Sequence, residues 1–265
     1  MISYASLFNL LVHLDGEEDS HTELNPHVFH PSQLANTCPR QVYLQKLGLV
    51  EIPPGAARVG SLIHEFICDN LPQLSDDHSD VLRQLGIDPN HVDALEFEED
   101  TTIDLGGIVL TGRYDLYDPR EDVIVDWKTK DDLERLHLPI KEDIEQVTLY
   151  MHMVGASRAK LVYIQRTDLA SQAFPARDDN RHTVDFDRTR FKRLIARAWH
   201  VRQAIETHGI ATAPDEIPFD RCGCWKCRRE DETLALPDNP PAFKFPPRSD
   251  PPDCLDEATL KNVDS

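Results

Sequence analysis

Two short segments carry the groups best suited to chemistry, Gly112-Arg113-Tyr114-Asp115 and Ile124-Val125-Asp126-Trp127-Lys128-Thr129. In extended chain, successive side chains alternate between faces. The second segment therefore sends Ile124, Asp126 and Lys128 one way and Val123, Val125 and Trp127 the other. The same rule places Arg113 and Asp115 on one face of the first segment, and residues 119–122 are few enough to close a hairpin between the two. Two carboxylates about one strand spacing apart suit Mg²⁺ or Mn²⁺, hard cations that take oxygen ligands, and a nearby lysine can stabilise an oxyanion. Such a set has the outline of a metal-dependent phosphodiesterase site. The flanking residues Val109, Leu110, Leu116, Val123, Ile124 and Val125 are apolar, and burying a carboxylate among them is costly unless a metal or partner compensates it. A solvated outer face is the alternative.

Elements elsewhere can bring further groups to this face. From 140 to 154, apolar residues Ile140, Ile144, Val147, Met151 and Val154 recur at spacings of four and three, the pattern of an amphipathic helix. Gln146 and Tyr150 lie one turn apart on its flank, so an amide and a phenol could reach one ligand together; alternatively, Tyr150 edges the core and Gln146 is solvated. Upstream, 60–67 reads as a helix with Leu62, Ile63, Phe66, Ile67 and Leu71 on its buried side and His64 at the border. An imidazole there can bind metal or simply pack.

Ordered along the chain, His64, Gly-Arg-x-Asp115, Asp126-x-Lys128 and Gln146-x-x-x-Tyr150 resemble the RecB-like branch of the PD-(D/E)xK nucleases. One cysteine before this core, Cys38, and three after it, Cys222, Cys224 and Cys227, are similar to the iron–sulfur nucleases of that branch. The likeness is closest to the CRISPR-associated RecB-like exonucleases that process DNA during spacer acquisition, and it spans roughly residues 30 to 230.

The resemblance implies an α/β restriction-endonuclease-like core, a mixed central sheet flanked by helices, with a cysteine-ligated subdomain. It implies that His64, Asp115 and Asp126 bind catalytic Mn²⁺ or Mg²⁺ and that Lys128 is the catalytic lysine. Gln146 and Tyr150 would complete the site or, with Arg113, contact DNA. It further implies exonuclease action on single-stranded or frayed DNA ends, with CRISPR adaptation integrases as partners.

The cysteine spacing departs from the family's usual Cys-x-x-Cys followed some five residues later by Cys; here it is Cys222-x-Cys224-x-x-Cys227. Closely spaced thiolates plus one remote thiolate can surround a compact cluster. Cys38, Cys222, Cys224 and Cys227 are the favoured ligands and four irons with four sulfides the favoured cluster, with Cys254 able to replace Cys222. Zinc uses the same ligands, so iron comes from the resemblance alone. Cys68 reads as an ordinary core thiol, and without a secretory signal a disulfide framework is a poor reading.

Composition bounds the remainder. The 265 residues, 40% hydrophobic, allow one generous domain with extensions. We expect a helical and acidic extension over 1–30, the nuclease domain over 31–230, and a proline-rich tail over 231–265 whose seven prolines argue against a compact unit. Within the domain we expect two short helices around 31–49 and strands over 94–104, 108–118, 122–129, 160–166 and 182–186. A long helix should cover 189–207, with Arg190, Arg193, Arg197 and Arg202 facing solvent in preference to phosphate. The opening residues lack the basic start of a signal peptide and are too short to cross a bilayer, which gives an expectation of a cytoplasmic protein. Forty-seven acidic against 28 basic residues leave a formal charge of −19, an unusual balance for a nucleic-acid enzyme. Two explanations stand, adaptation to a high-salt cytoplasm, where long-range steering is screened, and an acidic partner-binding face. The functional alternatives to CRISPR adaptation are a repair, recombination or virus-encoded end-processing nuclease, and an inactive nucleic-acid-binding or assembly module.

Overall fold

The structure is a computed structural model. It describes residues 25–35, 38–50, 62–165 (apart from 63, 68, 85 and 86), 181–228, and residues 230, 234, 236, 252 and 255. The expected opening helix, Ile63, Cys68, Cys254 and most of the proline-rich tail lie outside the described residues.

The strands are β1 (Val28–Phe29), β2 (Glu96–Phe97), β3 (Asp100–Asp104), β4 (Val109–Arg113), β5 (Leu116–Asp118), β6 (Val123–Lys130), β7 (Arg158–Gln165) and β8 (Arg181–Asp185). They form two sheets, ordered β1-β4-β3 and β2-β5-β6-β7-β8. The main helices are α1 (Pro31–Leu34), α2 (Pro39–Lys46), α3 (Lys141–Val154), α4 (Arg188–His208) and α5 (Trp225–Arg228). This is the mixed α/β architecture expected, built on a sheet with both parallel and antiparallel pairs.

The expected hairpin is present. β5 and β6 pair antiparallel with Leu116 opposite Val125 and Asp118 opposite Val123. β6 then pairs parallel with β7 along its whole length, and a parallel neighbour requires a crossover, which α3 supplies. The helix begins as the apolar periodicity predicts, carries Glu142 and Asp143 in its first turn where the helix dipole favours acids, and ends at Gly155 with φ 90°, a left-handed position that suits glycine. Val147, Leu149 and Met151 of α3 are fully buried with Ile124 of β6, Leu161 of β7 and Leu194, Ile195 and Val201 of α4.

Two expected strands are each broken in the middle. Residues 94–104 divide into β2 and β3, and 108–118 into β4 and β5, with the members of each pair lying in different sheets. The pair behaves as one antiparallel hairpin that bends halfway: Asp100 faces Arg113 on one side of the bend and Phe97 faces Leu116 on the other. At the bend Glu98 adopts φ 44°, and its backbone N–H donates to the Asp115 carbonyl at 3.1 Å. Alternation therefore stops at Arg113, and Asp115 lies in the link between sheets instead of sharing a strand face with it.

Two packing expectations are also corrected. Leu62 and Phe66 are 40% and 68% exposed, not buried. On α4, Arg197 and Arg202 are buried rather than solvated. Arg197 pairs with the buried Glu145 of α3 and donates to the Leu34 carbonyl, while Arg202 pairs with Glu206, donates to the Gly107 carbonyl and lies over the Trp199 ring. Helical periodicity places these arginines, but only their tertiary partners make burial tolerable. Described residues of the tail meet the domain: Leu234 bridges Val50, Leu236 packs against the main core, and Leu255 is buried in it.

Candidate active site

Strand β6 supplies the centre. Its alternation sets Asp126 and Lys128 on one face, where Asp126 is 2% exposed. Its buried Oδ2 lies 2.8 Å from Lys128 Nζ, an ion pair inside the fold. Burial raises the Asp126 carboxyl to about 6, with the nearby Asp115 adding to the rise and Lys128 opposing it. Burial alone would lower the Lys128 ammonium. The Asp126 and Asp115 carboxylates outweigh it, so the net displacement is upward and the amine stays protonated.

The bent hairpin brings Asp115 alongside. Its Oδ2 accepts the Trp127 backbone N–H at 2.8 Å, and its Oδ1 lies 3.2 Å from His64 Nδ1. Burial would lower the His64 imidazole, but the Asp115 carboxylate overrides it and the net displacement is upward. From α3, Gln146 Oε1 accepts from Lys128 Nζ at 3.0 Å. Tyr150 is buried next to it, its phenol held protonated by burial first and the Asp126 charge second.

Gly112 explains how α3 comes so close to the hairpin. A Cβ there would lie 2.9 Å from Pro31 Cδ and 3.2 Å from Tyr150 Cε1, so a side chain would push Tyr150 away. The chain thus brings His64, Asp115, Asp126, Lys128, Gln146 and Tyr150 together. Arg113 points elsewhere, half-exposed and ion-paired with Asp100 at 3.2 Å and with Glu98 at 4.0 Å.

Two groups beside this set lie outside the sequence expectation, Asp143 and Lys130. Asp143 is buried on the first turn of α3, accepting from Tyr163 Oη at 2.9 Å and lying 3.6 Å from Lys130 Nζ. Lys130 continues the alternation of Asp126 and Lys128, a signal readable in the sequence. Nothing local announces that Tyr163 meets Asp143.

A second cluster joins the two ends of the domain. Sγ atoms of Cys38, Cys222, Cys224 and Cys227 all lie within 4.8 Å of one another. Cys38 precedes α2 and lies 3.5 Å from Cys227, while Cys222 lies 3.9 Å from Cys227. Burial pushes the Cys38 thiol upward, and its sulfur neighbours push the same way. Thiols so crowded suit a cation, which draws off their protons. A regular tetrahedron with metal–sulfur bonds of about 2.3 Å has edges of about 3.8 Å, close to the Cys38–Cys227 and Cys222–Cys227 distances. Beside it, the buried Arg40 grips Glu230 through two hydrogen bonds of 2.8 and 2.6 Å, and Gln41 Nε2 reaches both Glu230 and Cys227 Sγ.

A model of the PD-(D/E)XK nuclease superfamily matches residues 71–230, more than half of the sequence. The chain belongs to this superfamily. Its members use divalent metals. The matched segment contains Asp115, Asp126, Lys128, Gln146, Tyr150 and the three later cysteines; His64 and Cys38 precede it. No curated protein matches the sequence significantly. Among solved structures, the chain is similar to SSO0001, with 18% identity, TM-score 0.48, and coverage of 74% of this chain and 86% of that one. It is similar to a protein from Eubacterium rectale named as a candidate exonuclease, with 16% identity, TM-score 0.49, and coverage of 84% and 95%. A phage-related exonuclease from Haemophilus somnus 129PT gives 14% identity, TM-score 0.34, and coverage of 67% and 95%. Among the described residues no helix is long and apolar enough to cross a membrane.

Proposed function

We propose that this PD-(D/E)XK nuclease is a metal-dependent DNA exonuclease whose site is His64, Asp115, Asp126, Lys128, Gln146 and Tyr150. The observation that carries the reading is Asp126. A carboxylate 2% exposed, its buried Oδ2 2.8 Å from Lys128 Nζ, lies near a second carboxylate that is itself beside an imidazole, a set of oxygen and nitrogen donors that fits Mn²⁺ or Mg²⁺. Bound there, the ion would neutralise phosphate charge and acidify a water. Lys128 presents a protonated amine to charge developing on the phosphate, and Gln146 fixes where that amine points. Tyr150 stays neutral and packs against Gly112, which keeps α3 at hydrogen-bonding distance from β6. Purified protein should shorten linear DNA in Mn²⁺ or Mg²⁺ and stop in chelator; intact DNA under every metal condition would leave the inactive binding or assembly module as the better reading.

The ordered motifs and the four cysteines support a role in CRISPR adaptation, trimming spacer precursors at single-stranded or frayed ends in the cytoplasm beside the integrase. A repair, recombination or viral end-processing role shares the same chemistry. For the cysteine centre, the resemblance supports a four-iron, four-sulfide cluster on Cys38, Cys222, Cys224 and Cys227, whereas the two shortest sulfur contacts, 3.5 and 3.9 Å, suit a single tetrahedral ion such as zinc. Metal and acid-labile sulfide analysis of anaerobically purified protein separates them: brown protein with comparable iron and sulfide establishes the cluster, and colourless protein with one zinc per chain excludes it.

A further inference from the structure

The face of β6 that carries Asp126 and Lys128 does not stop at Lys128. Two residues further on, about 7 Å along the strand at 3.3 Å per residue, Lys130 extends from the same face. Its surroundings differ from those of Lys128. The Lys128 side chain is 14% exposed and held by both Asp126 and Gln146; the Lys130 side chain is 29% exposed and 3.6 Å from Asp143 Oδ2. That oxygen already takes the Tyr163 hydroxyl at 2.9 Å, and the same hydroxyl accepts the Ile140 backbone N–H at 2.9 Å. Tyr163 stands opposite Lys128 in the parallel register of β6 and β7, so it fixes Asp143 from the neighbouring strand and the first turn of α3. Lys130 is thus steered by a rigid carboxylate at ion-pair distance without being consumed by it, and an ammonium has three protons to offer.

We propose that Lys130 is a phosphate-binding residue of this site, contacting the DNA backbone beside the scissile phosphate, and that Asp143 and Tyr163 are positioning residues that aim it. The assignment rests on the nuclease reading above. It also bears on the charge of the chain. At −19, the molecule as a whole repels a polyanion, so substrate must be gripped by short-range contacts, and Lys130 is a partly exposed cation on the catalytic face. Lys128 stays with Asp126 and serves the reacting phosphate; Lys130 serves the strand.

The test is steady-state kinetics on a fluorescein-labelled single-stranded oligonucleotide with Mn²⁺, paired with anisotropy titrations of the same oligonucleotide in Ca²⁺ as KCl is raised. Lys130→Ala should raise KM about tenfold while leaving kcat within about twofold, the pattern of a lost binding contact. Its log affinity should fall less steeply with log salt, by about 0.7 for one lost single-strand phosphate contact. Lys130→Arg should restore both. Asp143→Asn and Tyr163→Phe should move KM in the same direction by less, with circular dichroism unchanged. An active wild type with Lys130→Ala unaltered in KM and salt slope overturns this assignment and leaves the nuclease intact. Loss of kcat at unchanged KM overturns it as well, since Lys130 would then serve the chemistry. A wild type that neither cuts nor binds DNA overturns the nuclease reading, and this assignment with it.

Discussion

Among single residues, Gly112 ties sequence to site most economically. The Gly-Arg-x-Asp segment is legible as a motif, yet the reason for its glycine is tertiary: Pro31 and Tyr150 occupy the space a Cβ needs. Gly112→Ala should cost about 1–3 kcal/mol by overpacking and should also slow cleavage, because Tyr150 is displaced along with Pro31; urea denaturation and a cleavage assay read the two effects. Glu145 gives the contrasting case. It sits fully buried one position before Gln146, and Arg193 and Arg197 approach it at 3.1 and 3.2 Å. Removing one partner of a buried pair strands the other, at about 3–5 kcal/mol. Arg197→Ala should therefore destabilise the fold far more than substitution of the half-exposed Arg193. Equal effects in denaturant melts would show that Arg197 is not the partner Glu145 depends on.

At the level of elements, the sequence shows what is periodic and hides what is bent. Strand β6, the β5–β6 turn, α3 and α4 fall within a residue or two of their expected limits, because alternation and helical periodicity report local burial directly. The bend that splits β2 from β3 and β4 from β5 has no such signature; a glutamate at φ 44° is an unusual way to make it. That bend places Asp115, so the motif identifies this acid while simple alternation gives it the wrong geometry. The same limit applies to the helical stretch at 64–67, where an apolar pattern predicts a buried side and Phe66 is 68% exposed. At the other end of α3, Gly155 has φ 90° and a Cβ added there would meet no atom within 4 Å. Gly155→Ala should consequently cost about 1 kcal/mol from backbone strain alone, measurable as a lower denaturation midpoint with unchanged cooperativity.

Across the whole molecule, two features connect distant parts of the chain. The cysteine centre links the start of α2 to α5, 189 residues apart between Cys38 and Cys227, and the Arg40–Glu230 pair lies against it. If the centre holds a metal as proposed, Cys38→Ala should abolish that binding and lower the melting temperature together, since the centre joins residues far apart in the chain; metal analysis and calorimetry on one preparation check this. The acidic surface makes the second prediction. If −19 is a salt adaptation, KCl should relieve repulsion between carboxylates, and stability and cleavage at saturating DNA should both rise with salt. Maximal stability and activity in dilute buffer would point instead to a partner that covers the acidic face.

In the proposed site Asp126 would hold a metal ion and Lys128 would act on the phosphate beside it. Single-turnover DNA cleavage, measured with Mn²⁺ affinity on the same samples, separates the two roles. Asp126→Asn should lose both Mn²⁺ binding and cutting; Lys128→Ala should bind Mn²⁺ yet cut at least about a hundredfold more slowly, the scale of losing one charge-stabilising donor. Wild-type rates in both variants would contradict the assignment of this site.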